Sequence, residues 1–317
     1  MTSETPSAGK PATDTRPAAP CADGQPHDTL SAATCADGPS PNGAAATRRP
    51  ATGSTAKYAL VTGASSGIGR AYALRLAARG YGIVVVSDRP EQNEEVAREI
   101  RRLGAEALPL HADLTQPDAP ERLHARCRRD GIEVEVLVSN AGILHFAQLV
   151  RTEPAAIDRI VALHCTAPAK LCRLFADDMR RRGRGYILLM SSMTAWTPFP
   201  TMSLYGATKT FLKNFGRSLR YELHASGVSV TTVFPGAVDT PLYELDPARR
   251  RQLRRAGIMR TADEVAAAGL RALFRRRSRC IPGLPTKIAI GLCRLLPACV
   301  VTPLLRLRPV ARILDER

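Results

Sequence analysis

The chain has 317 residues, 45 basic and 29 acidic, and a formal net charge of +16 at pH 7. Hydrophobic residues make up 44% and charged ones 23%, which excludes wholesale disorder and leaves room for one or two domains with sizeable cores. No run reaches the ~18 uninterrupted apolar residues of a membrane-spanning helix, and the N-terminus has neither a signal-peptide apolar core nor an arginine-rich, acid-poor leader.

Residues 1–56 are rich in Pro, Gly, Ala, Ser and Thr, and Leu30 is their one aliphatic side chain larger than alanine after Met1. Such a segment buries too little surface to offset its ordering entropy, so a disordered extension is expected. The eight cysteines (21, 35, 127, 165, 172, 280, 293, 299) form no CxxC and no paired metal-ligand spacing. They read as free thiols of a reducing compartment, the cytoplasm, and no metal site is expected.

From Lys57 strands alternate with helices. Tyr58–Thr62 reads as a first strand, Ile68–Arg79 as a helix stopped by Gly80, and Ile83–Ser87 as a second strand. The second is an unbroken β-branched run, the mark of a strand covered on both faces. An amphipathic helix over Glu91–Leu103 follows, then strands at Ala107–His111, Val134–Ser139, Tyr186–Met190 and Val228–Phe234. The intervening helices are placed near 118–129, 154–182 and 203–226. This alternation predicts an α/β fold with a doubly wound parallel sheet, of Rossmann type, over residues 57–283.

Between the first strand and first helix lies Thr62-Gly63-Ala64-Ser65-Ser66-Gly67-Ile68-Gly69. Glycines here let the backbone turn sharply and approach a pyrophosphate, whose charge sits against the amides and dipole of the helix start. The placement between strand and helix is what favours dinucleotide binding over a plain turn. Asp88, at the tip of the second strand, suits the ribose hydroxyls of NAD and repels the 2′-phosphate of NADP, while Arg89 beside it can reach that phosphate. The pair favours NAD over NADP; its alternative is an ordinary surface pair.

Tyr205-Gly206-Ala207-Thr208-Lys209 puts a phenol and an ammonium four residues apart, on one helix face. The cation favours the phenolate and is expected to lower the Tyr205 pKa from about 10, which suits proton exchange with an alkoxide or alcohol. Ser192, at the end of the strand Tyr186–Met190, sits at the sheet edge where ligands bind and can donate to the same substrate oxygen.

The sequence resembles the short-chain dehydrogenase/reductase family. The motifs that carry the resemblance stand in family order: TGASSGIG at 62–69, NAG at 140–142, Ser192 with YGATK at 205–209, and FPGAVDT at 234–240. The resemblance implies that Ser192 orients the substrate, Tyr205 is the acid/base, and Lys209 binds the nicotinamide ribose and tunes Tyr205. It places Gly63, Ser65, Ser66, Gly67, Ile68 and Gly69 at the pyrophosphate and Asp88 and Arg89 at the ribose. Asp113 and Leu114 go near the adenine, Asn140, Ala141 and Gly142 in the cleft wall, and Pro235, Gly236, Val238 and Thr240 at the nicotinamide end. It also implies hydride transfer between NAD or NADP and an alcohol or ketone, and a homodimer or homotetramer. A catalytically silent dinucleotide-binding regulator or membrane-associated scaffold is the alternative. One position departs from the family: its usual asparagine, whose backbone carbonyl holds a water of the proton relay, is His164 here. This residue is either a packed neutral histidine or an added titrating group, and it is kept out of the catalytic set.

The excess charge is concentrated at the end: residues 247–317 hold 17 basic and 4 acidic groups. Residues 241–260, the family's usual mobile substrate lid, carry Arg249, Arg250, Arg251, Arg254 and Arg255 among Leu242, Leu245 and Leu253. They read as a solvated charged helix or a site for an acidic substrate group. The basic, leucine-rich tail 284–317 suits a membrane interface; an oligomer contact or a flap over a lipophilic pocket are its other readings. It has neither interleaved aromatics nor a recognised reading motif, so no nucleic-acid partner is expected. The overall expectation is an NAD(P)-dependent oxidoreductase with a lipophilic substrate, cytoplasmic or peripheral on a membrane.

Overall fold

The computed structural model describes residues 57–197, 199–240 and 246–295. The expected disorder of 1–56, lid residues 241–245 and tail residues 296–317 lie outside them. Seven strands form one sheet in the order β3-β2-β1-β4-β5-β6-β9, with every neighbouring pair parallel. They are β1 Tyr58–Thr62, β2 Gly82–Ser87, β3 Ala107–His111, β4 Val134–Ser139, β5 Gly185–Met190, β6 Val228–Val233 and the short β9 Arg279–Cys280. The chain winds outward from β1 to β3 and then, from β4, away on the other side. Loops at the carboxyl ends of β1 and β4 therefore diverge and leave a crevice.

Alternate strand residues face two separate cores. Leu60, Val84, Val86, Leu137, Ile187 and Leu189 pack beneath α3 (Ala119–Arg129), α5 (Ala167–Arg181) and the end of α6 (Ser203–Glu222). Ala59, Val61, Ile83, Val85, Val136 and Val138 pack beneath α1 (Gly67–Ala77), α2 (Pro90–Arg102) and α8 (Ala262–Phe274). The inner strands are covered on both faces, which is why β2 reads as an unbroken IVVV run with every side chain buried.

The helix expected over 154–182 is interrupted. It comprises α4 (Pro154–Val161), a π turn at Ala162–Thr166 and α5. Pro168 explains the break: it has no N–H to give the carbonyl of His164, and its ring crowds that carbonyl. The backbone widens instead, and Ala167 donates its N–H to the Ala162 carbonyl, five residues back.

Beyond β6 a two-stranded parallel ribbon not expected from the sequence pairs β7 (Ala237–Asp239) with β8 (Met259–Thr261). It brackets α7 (Pro247–Arg255), the charged helix that is one reading of 241–260. Asp239 accepts ion pairs from Arg250 and Arg254 of α7, at 3.6 and 3.4 Å. α8 opens with a capping box between Thr261 and Glu264, and Gly269 lets it pack directly on the Tyr72 hydroxyl of α1. The first twelve residues of the segment read as a tail form α9 (Leu284–Leu295). Thr286 and Ile290 are buried, while Leu284, Ile288 and Leu292 are 65, 52 and 57% exposed.

Candidate active site

The glycine turn is shaped by close backbone approach. Gly63 has φ +64°, and a Cβ there would lie 2.9 Å from the Ala141 Cα; one on Gly69 would lie 2.0 Å from the Gly63 carbonyl oxygen. Larger residues are excluded at both positions. The end of β4 is stapled to this turn. The backbone N–H groups of Asn140 and Ala141 donate to Thr62 Oγ1 at 2.9 and 3.0 Å, and Asn140 Nδ2 donates to the Thr62 carbonyl at 3.0 Å. Ser66 precedes α1 without a side-chain cap bond, and the first turn holds no acid. The first-turn amides and the positive end of the helix dipole are thus available to an anion.

At the tip of β2, Asp88 and Arg89 are exposed. Their backbone is held from behind: Asn93 Nδ2 donates to the carbonyls of Ser87 and Leu110, and the Ser87 hydroxyl donates to Asn93 Oδ1 at 2.6 Å. Asp113 accepts from the Thr115 hydroxyl at 2.7 Å and the Thr115 N–H at 2.9 Å. These bonds hold its carboxyl below the usual carboxylate range, with a smaller contribution from the Arg159 guanidinium.

The polar centre lies where β5 meets α6. Ser192, just beyond β5, accepts an N–H bond from Thr194 at 3.2 Å, leaving its own proton to donate. Tyr205 and Lys209 are both buried on α6, the ammonium 5.4 Å from the phenol ring centre. Lys209 Nζ donates to the Met190 carbonyl at 3.2 Å, and Ser191 Oγ donates to the Lys209 carbonyl at 2.7 Å, so α6 is tied to β5 at this point. Burial brings the Lys209 pKa down to about 8.

His164, in the π turn, is buried and packs its ring edge-on against Tyr205, centres 5.7 Å apart. Its Nε2 accepts the Ile143 N–H at 3.0 Å, and its Nδ1 lies 3.0 Å from Thr208 Oγ1. Burial first, and the nearby Lys209 charge second, hold its pKa well below the ordinary value. Of the two readings of this position, the packed neutral histidine is the one that fits.

Every expected site residue except Gly69 lines one cleft of about 430 Å³. Gly69 sits beneath it, against Gly63. Ser65, Ser66, Gly67, Ile68, Asp88, Arg89, Asp113 and Leu114 follow β1, β2 and β3. Asn140, Ala141, Gly142, Ser192, Tyr205, Lys209, Pro235, Gly236, Val238 and Thr240 follow β4, β5 and β6. The cleft also takes in Thr115, Ile143, Leu144, Arg159 and Leu163, which no motif marks. The uncapped helix start and the bare glycine turn fit a dinucleotide.

The family model for short chain dehydrogenases matches residues 57–250. Human 17-beta-hydroxysteroid dehydrogenase type 3 is 32% identical over 252 residues, covering 77% of this chain and 77% of that protein. A very-long-chain 3-oxoacyl-CoA reductase of Pyricularia oryzae is 34% identical over 190 residues, 57% of this chain and 56% of that protein. A short-chain dehydrogenase from Sphingobium yanoikuyae, solved in complex with NADPH, superposes with a TM-score of 0.64 at 31% identity, covering 77% of this chain and 97% of that one. The chain belongs to the short-chain dehydrogenase/reductase family. It is an oxidoreductase of the NAD(P)-dependent kind.

Proposed function

We propose that this enzyme interconverts a lipophilic ketone and its alcohol, with Tyr205 as acid/base, Ser192 and Lys209 as its partners, and NAD favoured over NADP. The observation that carries the reading is the convergence of Ser192, Tyr205 and Lys209 in the same cleft as the uncapped start of α1. A binding-only scaffold has no use for that trio.

The nicotinamide, when bound, supplies or accepts the hydride at its C4 carbon. The protein's own residues do the rest. The α1 amides and the turn from Gly63 to Ile68 hold the pyrophosphate, and Asp88 accepts from ribose hydroxyls. Ser192 donates to the substrate oxygen, Tyr205 passes its phenolic proton to that oxygen as the alkoxide develops, and Lys209 stabilises the phenolate left behind. Oxidation of the alcohol runs the same proton path in reverse.

The lipophilic preference rests on apolar side chains in and near the cleft. Ile143, Leu144 and Leu163 line the cleft, and Phe146 and Phe199 stand 6.4 Å apart on neighbouring loops joined by the Ala147 N–H to Thr201 carbonyl bond. The steroid and very-long-chain acyl chemistry in the names of the two relatives points the same way. Consumption of NADH and of NADPH, followed by absorbance against short aliphatic, long acyl and steroid ketones, tests both claims. Turnover is expected with the bulky ketones and faster with NADH. Asp88→Asn should move the NADPH/NADH ratio of kcat/KM upward by about tenfold, by removing a carboxylate that repels the 2′-phosphate. Turnover confined to small polar carbonyls, or an unchanged ratio, removes the respective claim.

Membrane contact through 284–317 belongs to the same reading. No helix among the described residues is long and apolar enough to cross a membrane. The exposed Leu284, Ile288 and Leu292 recur at one-turn intervals on α9, and basic side chains dominate the neighbouring sequence, the arrangement that seats a helix in an anionic lipid interface. Vesicles containing phosphatidylserine should pellet the wild-type protein at low salt and lose the variant with Leu284, Ile288 and Leu292 all changed to Asp. Equal pelleting of the two proteins removes α9 from the contact. A homodimer or homotetramer is also proposed; half-exposed Phe211, stacked on Phe215 of α6, offers an apolar contact for a second copy.

A further inference from the structure

We propose that His164 is a positioning residue: a neutral imidazole, protonated on Nδ1, that fastens the catalytic helix α6 to the cleft-lining loop after β4 and so fixes where Tyr205 stands. The proposal rests on the assignment of Tyr205 as acid/base, and it concerns a side chain that the reaction itself does not require.

The bonding fixes the tautomer. The Ile143 N–H can only donate, so Nε2, its partner at 3.0 Å, must carry a lone pair. The single ring proton of a neutral imidazole therefore sits on Nδ1 and points at Thr208 Oγ1, 3.0 Å away. Thr208 in turn donates to the Tyr205 carbonyl at 2.8 Å. The hydroxyl thus accepts from His164 and donates to the backbone of Tyr205, with no donor facing a donor. An unbroken chain runs from the Ile143 backbone through the imidazole and a threonine hydroxyl to the residue proposed to move the proton.

The surroundings oppose any other state. Protonating Nε2 would set two N–H groups against each other and leave the Ile143 amide without its acceptor. The charged groups facing the ring are few: Lys209 from α6 disfavours a second cation nearby, the Tyr205 ring lies edge-on, and Cys165 is the titratable neighbour on the π turn itself. Gly142 provides the room, since a Cβ there would lie 2.9 Å from His164 Nε2 and 3.6 Å from Lys209 Nζ. An asparagine in this place has one short amide and does not span from Ile143 to Thr208, so the two-ended tie is particular to histidine. The π turn that Pro168 imposes carries the ring between the two partners.

A tie of this kind acts on turnover rather than on binding, because the pyrophosphate cradle lies at the other end of the cleft. His164→Phe keeps a planar ring without the bonds and should lower kcat between about tenfold and a hundredfold, with the dinucleotide dissociation constant unchanged within about twofold. Thr208→Val should reproduce the effect, and the double variant should be no worse than the more damaged single one, because both remove the same link. His164→Gln, whose longer amide reaches the Nε2 position and retains the Ile143 acceptor alone, should fall between wild type and His164→Phe. Nitrogen-15 spectra of histidine-labelled wild-type protein should show His164 protonated on Nδ1 only, and unchanged from pH 8 down to pH 5.5. This readout needs no turnover, so it stands or falls separately from the Tyr205 assignment. Additive losses in the double variant, wild-type kcat in His164→Phe, or an imidazole that is protonated on Nε2 or titrates in that range would overturn the proposal.

Discussion

Tyr205→Phe is expected to lower kcat by about a thousandfold or more while dinucleotide affinity, read by quenching of tyrosine and tryptophan fluorescence, stays within about twofold of wild type. The substitution removes one oxygen and keeps the ring that packs edge-on against His164, so the walls of the cleft are preserved. What is lost is the proton donor at the substrate oxygen, a contribution of about a hundred- to ten-thousandfold in general acid–base catalysis. The glycine turn and the α1 amides, at the other end of the cleft, are untouched. A variant within tenfold of wild-type kcat would show that the phenol is not the acid/base and would move the search to Ser192.

Lys209→Met should separate activity from stability in the opposite direction. The ammonium is buried, and its pKa is brought down to about 8 from 10.5 by the loss of water around it. The unfolded chain therefore holds this proton more tightly than the folded one. The sign follows: the penalty is fully present below pH 8, shrinks as pH rises through 8 to 10.5, and is gone above that. Its size at neutral pH is about 3 kcal/mol, against about 1 kcal/mol for the bond from Nζ to the Met190 carbonyl. Methionine should thus raise stability at pH 7 by about 2 kcal/mol while turnover collapses, because the phenolate loses its cation. Denaturant melts at pH 7 and pH 10 check this, with the gap between variant and wild type narrowing at the higher pH. A variant less stable than wild type at pH 7 would contradict the account of Lys209 as a strained, functional charge.

Much of the sheet was legible because burial on both faces leaves a plain trace. IVVV in β2 and VEVLVS in β4 cannot alternate between core and water, and no other arrangement hides them so well. The motif residues of the cleft were legible for a related reason: close backbone approach at Gly63 and Gly69 admits only glycine, so the chemistry is written into residue type. The interruption of 154–182 was signalled by Pro168 but hidden by the long amphipathic pattern around it. β7, β8 and β9 span three, three and two residues, too short for any period to emerge. The capping box at Thr261–Glu264 announces α8, a helix beyond the last strand that the sequence reading places, Val228–Phe234. Arg159 was beyond reach altogether. It belongs to no motif, and only the winding of α4 around the crevice brings its charge to Asp113.

Thr286 lies against Gly236, where a Cβ on the glycine would come within 2.6 Å of its hydroxyl oxygen. The last described helix is therefore a wall behind the cleft at Gly236, and its inner face is spoken for. Shortening the chain at Gly283 would not simply shed an appendage: it would uncover Ile290's seat and remove the backing from Pro235 and Gly236. Anyone fusing a reporter or trimming the C-terminus for expression would be altering the cleft from behind.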